Sequence, residues 1–301
     1  MDILTHLSLH AERLSRKYPH RPRYMAWRIM WTAFAALFKK SVPSIPPAQG
    51  IYRDIQLASL RILQQMDIFC KKNGIVYWLD FGTLLGAVRH DGFIPWDDDI
   101  DVSMPRADYE RFAALFNQQT PDPNLRAELF LNCKRASVIL KIRHKDLPHV
   151  FVDIFPIDFC ATRMTDKEKL AFSRQLKKLA HRAPFSPEKS PLPQKLHDQL
   201  LAKQYSFVTP QKAPAPTIFY GTDFFHATHP YNAFDYETIF PLKEISFEGQ
   251  QFPCVAKTDP YLTHIYGDYK KLPHELHFHT LTVNISAKEQ QALHEYINSN
   301  K

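Results

Sequence analysis

Asp97, Asp98, Asp99 and Asp101 place four carboxylates within five residues, between Trp96 and Val102. Like charges this close repel, and a divalent cation removes that cost. If the chain enters a strand at Asp99, the side chains of Asp99 and Asp101 point to one face while Ile100 and Val102 point to the core. Two carboxylates on one face suit a hard, oxygen-seeking ion such as Mg²⁺, with Mn²⁺ as the alternative. An isolated Asp-x-Asp is more often an exposed acidic turn. Here the apolar neighbours bury the backbone, which favours the metal.

A third carboxylate interrupts the apolar run Phe151-Val152-Asp153-Ile154-Phe155. Burying it alone would be costly. Sharing the metal of Asp99 and Asp101 is one solution, and pairing with Lys141 or Arg143 is the other. These two cations alternate with Leu140 and Ile142, so they share a strand face and can hold a phosphate. Upstream, Gly82 and Thr83 sit at a strand-to-helix turn, where backbone N–H groups at a helix start can face a phosphate. Gly86 and Gly92 follow closely.

The elements that must position these groups can be read from spacing. Tyr52 to Asn73 predicts a helix stopped by Gly74. Ile75–Leu79 reads as a strand, Leu84–Arg89 as a short helix, and Ile100–Met104 as a second strand. Pro105 opens a helix over Ala107–Phe116. Strands are expected at 129–133, 138–143 and 150–155. A capping box at Thr165–Glu168 opens a helix to about 181, a proline-rich stretch spans 184–216, and a second box at Ser286–Glu289 opens a C-terminal helix. Residues 1–50 form an appendage ending in Val42-Pro43-Ser44-Ile45-Pro46-Pro47, and 51–301 form the catalytic domain with an insertion at about 165–216. The class is α/β (α+β): a mixed sheet flanked by helices.

The chain has 301 residues, 45% hydrophobic and 23% charged, an ordinary globular mix. Its net charge of +7 favours anionic partners. No Lys/Arg block interleaved with aromatics points to nucleic acid. Cys70, Cys133, Cys160 and Cys254 form no CxxC pair, which speaks against a zinc cage or disulfide framework and for a reducing cytoplasm. Met25–Phe38 is apolar but too short to span a bilayer, and it is flanked by Arg21, Arg23, Lys39 and Lys40. It suits either a helix lying on an anionic membrane or one packed on the protein's own body.

Tyr77 to Val102 closely resembles the LicD family, nucleotidyltransferase-fold enzymes known for phosphocholine transfer from CDP-choline to surface glycans, with fukutin-type ribitol-phosphate transferases as relatives. Lys141-Ile142-Arg143, Val152–Asp158, Ile239–Leu242 with Phe247-Glu248-Gly249, and Tyr266–Pro273 are similar to its later blocks. The resemblance implies a nucleotidyltransferase-like fold and a Mg²⁺-dependent reaction. In it Asp99 and Asp101 hold the metals and Asp153 binds the one that activates the acceptor hydroxyl. Arg89, Lys141 and Arg143 offset phosphoryl charge, and CMP leaves. Donor and acceptor are expected to be a CDP-alcohol, CDP-choline first, and a glycan or glycolipid, with the enzyme cytoplasmic, or peripheral on the cytoplasmic face of the inner membrane where the N-terminal segment binds it. Trp96, beside the acidic run, is the better candidate than Trp78 to cage a quaternary ammonium. His279 could line the pocket, although His274, His277 and His279 lack the spacing of a zinc helix.

Three rivals remain at this stage. Ribitol phosphate, glycerol phosphate or phosphoethanolamine would use the same residues. A GT-A glycosyltransferase also uses Asp-x-Asp, but places it after several βα units rather than one helix–strand pair. A membrane-associated scaffold with a relic site is the non-catalytic reading, against which the intact Asp99, Asp101 and Asp153 argue.

Overall fold

The computed structural model describes residues 47–120, 122–132, 137–160, 217–221, 233–271 and 285–299, with isolated positions at 167, 174, 198–199 and 202. Most of the expected N-terminal appendage, the helix from 165 to 181, the proline-rich stretch, and His274, His277 and His279 lie outside the described residues.

The long helix expected from Tyr52 is α1 (Ile51–Asn73). Ile55, Ile62, Leu63, Met66 and Phe69 form its buried stripe. Gly74 ends it in the left-handed conformation, and Ile75 N–H returns to the Cys70 carbonyl at 2.9 Å. That return occupies the amide of Ile75, and the strand expected from 75 shrinks to β1 (Trp78–Leu79). The next helix, α2 (Phe81–His90), starts three residues before the expected Leu84 because Asp80 caps it, accepting the Phe81 amide at 2.7 Å.

β2 (Ile100–Pro105) leads into α3 (Arg106–Gln119), then β3 (Leu125–Asn132), β4 (Ser137–His144) and β5 (Leu147–Cys160). The strand expected at 129–133 begins earlier, and β5 runs on past 155 to carry Asp158. Elements not anticipated are β6 (Thr217–Tyr220), β7 (Ala233–Asp235), α4 (Tyr236–Ile239), β8 (Lys243–Phe247), β9 (Gln250–Cys254) and α5 (Thr258–Tyr266). The last helix is α6 (Ala287–Asn298), and its capping box is formed: Ser286 N–H donates to Glu289 at 2.8 Å.

The main sheet runs β1-β2-β5-β4-β3, with β6 on β5 and β7 on β6, while β8 and β9 form a separate hairpin. β2 and β5 are parallel; the other described pairs are antiparallel. This is the mixed, helix-flanked sheet the sequence predicts. Helix α1 packs on β5 and α6, and α3 packs on β3 and β5. Between α1 and α3, Phe69 meets Phe112 edge-on at 5.4 Å, and Phe112 stacks on Phe116 at 4.8 Å. Truncating Phe112 to alanine would cost about 3–5 kcal/mol. That core holds β2 and β5 rigid on one face and leaves their other face for chemistry.

Candidate active site

Strand register builds the site. Asp101 on β2 faces Asp153 on β5, and Asp153 faces Lys141 on β4. Cross-strand partners lie on one face, so the row Asp101–Asp153–Lys141 lines a single surface. Asp99 stands one residue before β2, and the carboxylate oxygens of Asp99, Asp101 and Asp153 lie within 4.8 Å of one another. A second trio, Asp97, Asp98 and Asp99, meets the same limit, so Asp99 belongs to both.

Asp97 and Asp98, whose positions suit shaping the turn or supporting the ligands from behind, are thus near the centre. The reason is Gly82: a Cβ there would overlap Asp97 Oδ2 and come within 3.7 Å of Asp101 Oδ2. The Gly82–Thr83 turn therefore approaches the carboxylates directly, and Thr83 Oγ1 accepts the Asp101 amide at 2.8 Å. Gly82 and Thr83 lie inside the first turn of α2 rather than ahead of it.

The electrostatics match the crowding. Burial first, then Asp99 and Asp153, pushes the Asp101 carboxyl well above its ordinary range, with Lys141 pulling the other way. Burial and the neighbouring Asp99 and Asp101 do the same to Asp97. Tyr266 on α5 exposes 40% of its surface, yet its phenol is pushed up by burial and then by Asp101, Asp80, Asp97 and Asp99. Three buried or half-buried oxygen donors with excess negative charge are the donor set of a hard divalent cation.

Of the expected phosphate-binding cations, Lys141 is at the centre: its ammonium pairs with Asp153 and rests over the Phe151 ring at 3.9 Å. Arg143 lies over the Phe130 ring at 5.1 Å, farther along β4. Arg89, in the last turn of α2, donates to the Tyr269 carbonyl at 3.0 Å and feels Asp97 only electrostatically. Trp96 is half-buried against the core beside the acidic run. Trp78 is fully buried, edge-on to Phe240 at 5.7 Å, and so has no face for a ligand.

Sequence reasoning missed the brace behind the acidic loop. Gln56 Nε2 on α1 donates to the Asp97 carbonyl at 2.7 Å and the Ile94 carbonyl at 3.3 Å. Arg53 pairs with Glu248 through two bonds of 2.9 and 2.6 Å, and Glu248 accepts the Phe93 amide at 3.1 Å. A Cβ on Gly92 would fall on the Glu248 carboxylate, so a larger residue there would have to displace it. A glutamine at a core position of α1 was the one local signal for this brace.

A mixed sheet with carboxylates converging from adjacent parallel strands beneath a Gly-Thr helix start defines a nucleotidyltransferase-like site. The chain belongs to the LicD family. A profile described as "LicD/FKTN/FKRP, nucleotidyltransferase domain" matches residues 74–194. The lipopolysaccharide cholinephosphotransferase LicD of Haemophilus influenzae is 32% identical over 252 residues, 74% of this chain and 92% of that protein. The human ribitol 5-phosphate transferase FKRP is 55% identical over 31 residues, 10% of this chain and 6% of that protein. Mannosyltransferase regulator 4 of Saccharomyces cerevisiae is 42% identical over 50 residues, 17% of this chain and 4% of that protein.

Proposed function

We propose that the protein is a phosphotransferase that moves a phosphorylated alcohol, phosphocholine first, from a CDP-alcohol to a hydroxyl of a surface glycan and releases CMP. The observation that carries this reading is the trio Asp99, Asp101 and Asp153 set beneath Gly82 and Thr83, in a chain that matches nearly the whole of a cholinephosphotransferase.

In this reading Asp99, Asp101 and Asp153 hold Mg²⁺, or Mn²⁺ in its place. The bound ion supplies Lewis-acid charge neutralisation at the phosphates. The chain's own groups do the rest. The first turn of α2 turns its N–H groups toward the phosphates. Lys141 donates to the transferring phosphoryl group from the centre, and Arg143 extends the cationic surface along β4. Arg89 contributes field rather than contact. Asp153 is also the candidate to take the acceptor hydroxyl's proton, from its place on the same strand face as Asp101. Trp96 offers its half-exposed ring to a choline ammonium.

Transfer of ribitol phosphate is the second reading, favoured by the stretch shared with FKRP. Among the described residues no helix is long and apolar enough to cross a membrane. A peripheral position on the cytoplasmic face of the inner membrane remains part of the proposal, through the basic N-terminal segment.

The test is thermal stabilisation by CDP-choline, CDP-ribitol, CDP-glycerol and CDP-ethanolamine with Mg²⁺, since a ligand of the native state raises the midpoint. CDP-choline is expected to give the largest shift. A larger shift with CDP-ribitol moves the assignment to the second reading, and no shift with any of them removes the CDP-alcohol donor.

A further inference from the structure

The reaction described above makes no use of Asp80, yet its carboxylate accepts four hydrogen bonds. It is fully buried. Oδ1 accepts the Phe81 amide at 2.7 Å and the Tyr261 hydroxyl at 2.6 Å; Oδ2 accepts the Ser103 hydroxyl and the Tyr220 hydroxyl, the latter at 2.6 Å. The two phenol oxygens also meet each other at 2.6 Å. The donors come from four elements: the start of α2, β2, β6 and α5. Through its backbone Asp80 also donates to the Asp101 carbonyl at 3.0 Å and accepts the Leu84 amide at 2.9 Å.

A helix cap needs one acceptor. The other three donors are not explained by capping, and sinking a carboxylate into a core that could be apolar is an unfavourable way to gain stability. What the cluster does hold is a strained turn. Phe81 has φ +38°, a region that side chains other than glycine avoid. Its ring is stacked on Tyr220 at 4.9 Å and set edge-on to Phe155 at 5.0 Å. That bend carries Gly82 onto Asp97 and brings Thr83 to the Asp101 amide.

We propose that Asp80 is the positioning residue of the centre, its carboxylate clamping the strand of Asp101, the helix turn of Gly82 and Thr83, and the α5 segment of Tyr266 into one unit. Asp80 is sealed from solvent and so acts through these neighbours, not on substrate. The assignment rests on the metal-centre reading for its catalytic consequence but not for its structural one.

The experiment compares the full chain with Tyr261→Phe, Ser103→Ala and Tyr220→Phe, each removing one donor without touching a carboxylate. Hydrogen exchange of the amides of residues 81–84 and 101 is measured without metal, and Mn²⁺ affinity is measured by calorimetry below any melting transition. Exchange in those amides is expected to quicken about tenfold, the scale of one net hydrogen bond, while the amides of α3 keep their rates. Mn²⁺ affinity is expected to fall by about the same factor. Unchanged exchange at 81–84, or acceleration spread evenly over α3 as well, overturns the assignment. If exchange responds but the unaltered protein binds no Mn²⁺, the metal-centre reading falls while the clamp stands. Should one variant fail to fold, the remaining two carry the comparison, and Asp80→Asn replaces any variant lost.

Discussion

The Lys141 ammonium lies on the Asp153 carboxylate, directly across the β4–β5 register, and Asp153 is also one of three carboxylates able to hold a cation. In the proposed reaction that one side chain is claimed by two positive charges. Lys141 also relieves Asp101 of part of the repulsion it suffers from its neighbours. The lysine is thus the counter-charge to Asp153 here, and in the proposed reaction it turns toward the phosphate once a divalent ion is bound. Lys141→Met should bind Mn²⁺ more tightly, by several-fold, because a competitor is gone. The same variant should lose about a hundredfold in kcat, as expected for one lost charge-stabilising donor. Titration by electron paramagnetic resonance alongside steady-state kinetics checks both halves, and weaker Mn²⁺ binding would sink the competition.

Crowded carboxylates store instability. Asp97 and Asp101 are both held above the ordinary carboxylate value of 3.8. A group raised in the folded state favours the protonated form there, so its contribution is fully present below 3.8 and is lost as pH rises through the folded value. The metal-free protein is therefore expected to lose stability as pH climbs from about 4 toward neutrality, and Mg²⁺ should flatten that slope. Asp101→Asn should melt about 2–4 °C higher than the parent without metal at pH 7, for each kcal/mol of repulsion removed. It should gain nothing from Mg²⁺ and should not turn over. Scanning calorimetry with and without the ion reads all three, and a lower metal-free midpoint would contradict the sign.

Asp153→Asn is expected to abolish turnover and leave the fold intact, because the amide keeps the shape of the row but neither holds the ion as a carboxylate nor takes a proton. A variant with the parent's rate in a radiolabelled transfer assay would remove Asp153 from the mechanism.

Gly82→Ala isolates geometry from chemistry. Gly82 has no left-handed backbone to lose, and alanine favours a helix by up to about 1 kcal/mol. Its Cβ must instead displace Asp97. Stability should hold or rise while kcat falls about a hundredfold, the scale of a 1 Å misplacement. Equal losses in melting temperature and activity would point to simple misfolding.

The brace behind the loop has its own pH signature. Burial alone would raise the Glu248 carboxyl, but the Arg53 hydrogen bond and the Phe93 amide outweigh it and hold it below 4.5. A depressed carboxyl adds stability that is present above 4.5 and lost as pH falls through the folded value. Urea midpoints of the parent should drop between about pH 5 and 3 more steeply than those of Glu248→Gln, and parallel curves would exclude the brace.

The trio was legible in the sequence because its signal is local: Asp99 and Asp101 sit two apart beside Ile100 and Val102, and Asp153 breaks an apolar strand. The same locality made Lys141 visible, together with the choice between phosphate and Asp153 as its partner. The clamp was not legible. Tyr220 and Tyr261 reach Asp80 across 140 and 181 residues, and no spacing rule connects them. Nor was the hairpin β8–β9, whose Glu248 meets Arg53 across 195 residues. The early start of α2 was missed because Phe81 adopts a backbone angle that propensity argues against, sustained by contacts from elsewhere.

The parallel pairing of β2 with β5 has a consequence for how the protein matures. Asp101 and Asp153 are neighbours only after a chain crossover of some fifty residues has closed, and closures of that kind come late and slowly. A slip of one residue would turn Asp153 to the opposite side of the sheet. A nascent or trapped chain can therefore hold α1 and the β3–β4 hairpin without the site that joins Asp101 to Asp153. Ion binding at the Asp101–Asp153 pair would then mark the completed topology.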